Sequence, residues 1–306
     1  GDLLTGAPGL RALARAFPDH HRVLAAPAVL APLAALITVD GRHAVDAVAD
    51  TRPMRPLPDA LHGADIAVNL HGRGPQSHRL LLGAQPARLV AFASDEAGVD
   101  GPRWRAGEHE VERWCRLLSE SGIAADPGEL EIDKPRARPP EAAYGATVIH
   151  PGAASPARRW PVARFAAVAR AEHAAGRGVV ITGSSAERPL AQAVAHLAGL
   201  PRASVIAGTT DLECLAAVIS VAGRVVSGDT GVAHLATALD IPSLVLFGPT
   251  PPTEWGPADQ ARHRVLWTGK RGDPHAQDPD AGLLGIGEDQ VLEELAALPG
   301  RERVAG

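Results

Sequence analysis

Several ingredients are scarce in this chain of 306 residues, and each shortage excludes something. There are two cysteines, Cys115 and Cys214, far apart and without a C-x-x-C spacing. A disulfide scaffold is therefore excluded, a zinc site is disfavoured, and a reduced, cytoplasmic setting is the simplest expectation. Aromatic residues make up 3% of the chain, and Met54 is the only methionine. Lysine is almost absent: of 30 basic residues only Lys134 and Lys270 are lysine, leaving 28 arginines. With 32 glycines, 27 prolines and much alanine, this reads as the codon bias of a GC-rich genome. No long apolar run is present. The longest uncharged stretch, 23–39, carries Pro27 and Pro32, is short for a bilayer, and reads as strand, turn and helix. There is no Walker loop and no repeat of solenoid length.

Net positive charge is also lacking. The formal charge is -5 and the sequence pI about 6.2. Nucleic-acid partners and strong binding to anionic membranes need a large positive surface, so neither is expected; at most the protein meets a membrane peripherally. Local arginine clusters can still hold one phosphate ligand.

What is present is 45% hydrophobic and 21% charged residues, enough for true cores and unlike a disordered or collagenous chain. The length predicts two domains. Short β-branched runs at 21–25, 37–39, 66–70, 88–92, 147–150, 179–182, 204–206, 224–227, 244–247 and 265–268 alternate with stretches of helical period. The helical stretches are 10–17, 109–121, 161–175, 186–197, 212–221, 232–239 and a final 288–298. That alternation predicts an α/β fold with parallel sheets covered on both faces. Residues 131–146 hold three prolines and mixed charge, a linker signature. The expected division is thus 1–134 and 135–306, each a Rossmann-like unit, facing one another with ligands outside the carboxyl ends of strands.

Four segments carry chemistry. At the start, Asp2 precedes an apolar-periodic helix and reads as a cap or a catalytic carboxylate. In 147–165 a strand runs into a loop of small residues holding Ser155, then Arg158 and Arg159, then a helix opened by Pro161. Such a loop lets backbone amides and cations approach a phosphate. In 179–192 a strand ends in Gly183 and Ser184, with Glu187 in the next helical turn, placed to accept from a sugar hydroxyl or to compensate a helix dipole. In 224–257 a strand ends in Ser227–Gly228–Asp229–Thr230–Gly231, with His234 a turn later, and a second strand ends in Gly248–Pro249–Thr250. Hydroxyls, one carboxylate and one imidazole on adjacent strand ends suit a polyhydroxylated, phosphorylated ligand. Trp104, Trp114, Trp160 and Trp255 read as core or domain-edge residues before sugar-stacking ones.

Taken in order, the initial GD, HPGAASPARRWP, TGSSAER, SGDTGVAHLA and LFGPT resemble glycosyltransferase family 9, the heptosyltransferase family, and in particular its GC-rich actinobacterial members. The resemblance implies the GT-B fold and inverting transfer of a sugar, heptose first, from a nucleoside-diphosphate donor, ADP first, to a glycan or small-molecule acceptor. It implies Asp2 as the general base. It also implies a donor site of Ser155, Arg158, Gly183, Ser184, Glu187, Asp229, Thr230, Gly231 and His234 in the second domain. His71, Arg73 and Gln76, in NLHGRGPQSH, fall at an acceptor-side loop that departs from the family's usual acidic-plus-Gln form. Family members carry a strand before GD, so about ten upstream residues and one strand slot are expected to be missing from the numbering. The nucleotide-sugar is substrate, and no cofactor or metal is expected: cationic side chains take the metal's place, and the one D-x-D, Asp278–Asp280, lies outside these loops.

In the mechanism this implies, a base removes the acceptor proton, the cleft aligns the reactants, and donors stabilise the departing diphosphate. Two alternatives stay open: another nucleotide-sugar used on an antibiotic or envelope glycan, and a non-catalytic nucleotide-sugar-binding protein. A nicotinamide dehydrogenase is disfavoured, because HGRGPQ is half a dinucleotide fingerprint on the wrong strand.

Overall fold

A computed structural model describes residues 1–258 and 261–299. The chain divides into two compact units, Asp2–Asp133 and a second that runs from Lys134 onward.

The first unit contains α1 (Asp2–Thr5), α2 (Ala7–Ala16), β1 (Val23–Ala26), α3 (Ala31–Ala34), β2 (Thr38–Val39), β3 (Arg42–His43), β4 (Ala47–Asp50), β5 (Ile66–Val68), α4 (Gln76–Gly83), β6 (Arg88–Val90) and α5 (Glu110–Glu120). β1 pairs with β4 and β5 with β6, both parallel, while β2 and β3 form a small antiparallel ribbon. The parallel sheet expected here is thus present as two separate pairs among the described residues. Sequence reading overlooked β3, β4 and α4. β3 and β4 are short, and α4 (QSHRLLLG) opens polar, so no apolar period announces it.

Phe92, Trp114, Leu117 and Leu118 are fully buried in the core of this unit. Trp104 meets the Phe92 ring edge-on at 5.1 Å, and the Arg113 guanidinium lies 4.2 Å over Trp104. Arg11 of α2 is buried and donates to the carbonyls of Thr38, Glu129 and Glu131. One guanidinium thereby ties the end of the unit to its beginning. The segment read as a linker starts under this clamp: Ile132 is buried and the Asp133 amide donates to the Leu36 carbonyl.

The second unit contains β7 (Thr147–His150), α6 (Val162–Ala174), β8 (Val179–Ile181), α7 (Arg188–Ala198), α8 (Leu212–Val221), β9 (Arg224–Gly228), α9 (Gly231–Ala238), β10 (Ser243–Leu246), α10 (Pro252–Trp255), β11 (His263–Leu266), α11 (Ala281–Leu284) and α12 (Glu288–Ala296). Its five-stranded sheet has the order β11-β10-β9-β7-β8, all parallel. Every residue of β7, β8 and β10 is buried, as parallel strands covered on both faces require. Asp211 caps α8 by accepting from the Cys214 amide, and Gly199 ends α7 in the left-handed region. The strand expected at 204–206 is instead a 3-10 turn, Arg202–Ser204. After that turn Val205 forms an isolated parallel bridge with Ile181, and the Ile206 and Gly208 amides donate to the Ile181 and Gly183 carbonyls.

Trp160 belongs to the core of this unit. It is 2% exposed, meets Phe165 edge-on at 5.1 Å, and donates its indole N–H to the Ile286 carbonyl. Trp160→Ala opens a cavity and removes one of the two donors to that carbonyl, Arg164 supplying the other. It should lower unfolding stability by about 3–5 kcal/mol, read as a lower urea midpoint.

Candidate functional site

Strand order in the second unit reverses between β7 and β9. In an open parallel sheet the crevice at such a point, outside the carboxyl ends, is where a ligand is held. The loop after β7 carries Arg158 and the loop after β9 carries Asp229. Asp229 is 6% exposed, with its carboxylate 3.8 Å from the Arg158 guanidinium, which also donates to the Asp229 carbonyl at 3.3 Å. Burial pushes the Asp229 carboxyl above its ordinary range, and Arg158 opposes that shift only in part. The Arg158 Nε is buried without a hydrogen-bond partner among the described residues. A cation with an idle donor thus stands beside the loops predicted to bind a diphosphate.

Thr230 follows at the N-cap of α9, but its side chain makes no capping bond. Asp229, one residue earlier, is not the cap of this helix. Gly231 is exposed as the first residue of the helix. His234, a turn further on, packs its ring against Trp255 with centroids 5.9 Å apart. Ser155 is buried and its hydroxyl donates to the Ala276 carbonyl, so the hydroxyl holds the loop rather than pointing out of it. Asp280, of the lone D-x-D, caps α11 through the Gly282 and Leu283 amides.

The carboxyl end of β8 forms the adjoining cluster. The Glu187 carboxylate accepts from the Ser184 amide and the Ser184 hydroxyl, both at 2.8 Å. Burial works against its charge. The two Ser184 bonds, with His150 and Arg159 nearby, more than offset that and hold the carboxyl below its ordinary range. His150, at the end of β7, was not singled out from sequence. It is 7% exposed and its Nδ1 lies 2.9 Å from the Thr182 hydroxyl. Burial pulls its imidazole down, with Glu187 opposing. The signal that could have found it is the HPG at 150–152, which opens the small-residue loop and the family motif. Gly152 leaves room for the Glu187 carboxylate: a Cβ there would run into the end of that side chain. Gly183 abuts the stem of the same Glu187.

In the first unit Asp2 sits in the first turn of α1, not before it. Its carboxylate is 3.8 Å from His71 Nδ1, and both side chains are exposed. Arg73 is exposed in the same loop, and Gln76 is the exposed first residue of α4. Of the three acceptor-side candidates, His71 is the one that meets Asp2.

Residues 95–280, more than half of the chain, match the profile of glycosyltransferase family 9 (heptosyltransferase). The chain belongs to that family. Among curated relatives, the family 9 chain is 34% identical over 165 residues to lipopolysaccharide heptosyltransferase 2 of Salmonella typhimurium, covering 50% of this chain and 47% of that one. It is 33% identical over 150 residues to lipopolysaccharide heptosyltransferase 1 of Pseudomonas aeruginosa, covering 48% and 41%. The match thus spans about half the length of these relatives. Among solved structures it resembles the ADP-heptose lipopolysaccharide heptosyltransferase II of E. coli, with TM-score 0.72, 22% identity, and 96% and 94% of the two chains covered. It also resembles the family 9 glycosyl transferase of Veillonella parvula, with TM-score 0.73, 20% identity, and 97% and 94% covered. The fold is therefore the GT-B fold of these family 9 structures.

The raised Asp229 carboxyl has a stability consequence with a definite sign. Folding favours its protonated form, so the ionised group costs stability as pH rises past the ordinary aspartate range and through the raised value. Relative to the wild-type chain, Asp229→Asn should therefore gain melting temperature as pH rises above the ordinary aspartate range, and the gain should level off once the raised value is passed. A pH-independent offset in thermal melts would contradict this.

Proposed function

We propose that this family 9 chain is an inverting glycosyltransferase that moves heptose from ADP-heptose to a hydroxyl of a glycan or natural-product acceptor. The observation that carries the reading is the Arg158–Asp229 pair at the strand-order reversal, with an unpartnered Arg158 Nε and the idle Thr230 side chain beside it. Arg158 and the start of α9 (Gly231–Ala238) take the diphosphate, where charge develops as the glycosidic bond breaks. Glu187 accepts from ribose or sugar hydroxyls; its carboxylate is oriented by the Ser184 amide and hydroxyl. Gly183, Ser184, Asp229 and His234 complete the donor set, and Ser155 contributes by shaping the loop. Residues 135–306 thus carry the donor and 1–134 the acceptor, where Asp2 is the carboxylate that drives removal of the acceptor's proton, with His71, Arg73 and Gln76 at the same end.

ADP and heptose are preferred because the relatives that match at 30% identity or more are named heptosyltransferases, and the E. coli structural neighbour carries ADP-heptose in its name. The arginine-for-lysine bias supports a GC-rich, actinobacterial source, in which the acceptor is an envelope glycan or natural product rather than lipopolysaccharide. Cationic side chains at the diphosphate support metal-independent transfer. Among the described residues no helix is long and apolar enough to cross a membrane.

Thermal shift with ADP, UDP, GDP and TDP tests the nucleotide: ADP should raise the melting temperature most, and a preference for another diphosphate overturns that choice. Arg158→Ala should weaken ADP binding by about 10- to 100-fold in calorimetry, the loss expected for a charged hydrogen bond. Gly152→Ala tests Glu187 without deleting it. The new methyl displaces only the flexible end of that side chain, so the melting temperature should hold while ADP affinity falls. Loss of folding without a specific loss of affinity would reject the role given to Glu187.

A further inference from the structure

The loop between β5 and α4 is anchored by a buried polar chain that leaves one exposed imidazole as its product. Asn69 is 3% exposed. Its Oδ1 accepts from the His71 backbone amide at 3.0 Å, and its Nδ2 donates to the Ser77 hydroxyl at 2.9 Å and lies 3.1 Å from His78 Nδ1. His78 is fully buried, with Nε2 2.7 Å from the Phe92 carbonyl. The carbonyl can only accept, so His78 carries its proton on Nε2 and presents Nδ1 as the acceptor for Asn69. Gly74, at φ +77°, passes so close that a Cβ would stand 2.6 Å from the His78 ring. The backbone amide of His71 is therefore fixed from the core of its unit.

The His71 side chain lies beside α1. Its Nδ1 is 3.8 Å from the Asp2 carboxylate, within ion-pair distance, and both side chains are exposed. Its Nε2 has no hydrogen-bond partner among the described residues. The other charged groups near this pair are Glu110, in the first turn of α5 and within electrostatic reach of Asp2, and Arg113, which pairs with Glu110. Arg73 is exposed on the same loop. Arg113 answers Glu110 and leaves Asp2 to His71. A histidine here can donate to a carboxylate through one ring nitrogen and take a proton on the other.

We propose that Asp2 and His71 form a catalytic dyad in which Asp2 holds the Nδ1–H of His71 and the free Nε2 takes the proton of the acceptor hydroxyl. The proposal rests on the transferase reading above and moves the proton-accepting atom from Asp2 to His71. In the step, the hydroxyl proton passes to Nε2 while the oxygen's electron pair bonds to the anomeric carbon. The bond from that carbon to the diphosphate oxygen breaks, and its pair leaves with the diphosphate. Asp2 stays ionised and stabilises the imidazolium, which afterwards returns its proton to solvent; this is the division of labour that an Asp–His pair performs in hydrolases.

Two measurements on the full chain test it. The first is nitrogen-15 NMR of the histidine rings at pH 8, with His71 assigned by its loss in His71→Gln. The dyad requires the Nδ1–H tautomer in the wild-type chain and a shift toward Nε2–H in Asp2→Asn. Nε2–H in both overturns the proposal, and this readout stands even if no sugar donor is turned over, the result that would sink the transferase reading instead. The second is the pH profile of kcat with ADP-heptose and the acceptor that the wild-type chain uses. His71→Gln keeps a donor to Asp2 but removes the base. It should lower kcat by about 10²- to 10⁴-fold at unchanged donor KM, and the acid limb should leave the imidazole range for the carboxylate range. Turnover within about threefold of wild type and an unmoved limb would show that Asp2 acts alone.

Discussion

A carboxylate that burial discourages and a guanidinium that makes it tolerable set the organisation of the second unit. Asp229 and Arg158 come from loops far apart in sequence, and they meet because β7 and β9 are neighbours in a parallel sheet. Parallel neighbours require crossover connections, and those connections are the helices that bury both faces of the strands. The sheet is thus the device that brings one cation and one anion together at the strand-order reversal. A buried ion pair is weak evidence for stability in itself, since desolvation cancels much of the attraction. A group kept at such a place, with one guanidinium nitrogen unpartnered, is better understood as prepared for a ligand than as a strut.

The same logic recurs at the end of β8 with different materials. Glu187 is kept ionised by the amide and hydroxyl of Ser184, and Gly152 opens the space that its carboxylate occupies. His150 is buried behind it and bound to Thr182. In the first unit the ordering element is a chain of side chains instead of a sheet. Arg11 gathers three carbonyls, and Asn69 with His78 fixes the loop that holds His71. The strands of that unit are short and paired two by two, so side-chain to backbone hydrogen bonds do the positioning that a continuous ladder does in the other.

Much of this was legible in residue order alone. The β7 strand, the α8 helix, and the loops ending in Arg158, Glu187 and Asp229 follow from apolar runs that stop at glycine and from helices opened by proline or small residues. The long helix α5 announced itself by period. β3, β4 and α4 did not, because runs this short or this polar at their start carry no period to read. The strand expected at 204–206 failed for the complementary reason: β-branched residues show only a preference for extended backbone, and whether a partner edge accepts them depends on the rest of the sheet.

Chemistry divided in the same way. The sequence by itself determined which residue types stand after which strands, because hydrophobic period and turn chemistry are local. From the same motifs it also pointed to the family. Tertiary structure alone decided which of those residues touch. It turned the Ser155 hydroxyl inward to a carbonyl, set Thr230 rather than Asp229 at the cap of α9, brought His150 to Glu187, and placed His71 beside Asp2. These contacts join residues separated by tens of positions. They depend on strand order, burial and the direction of each side chain, none of which a one-dimensional pattern contains.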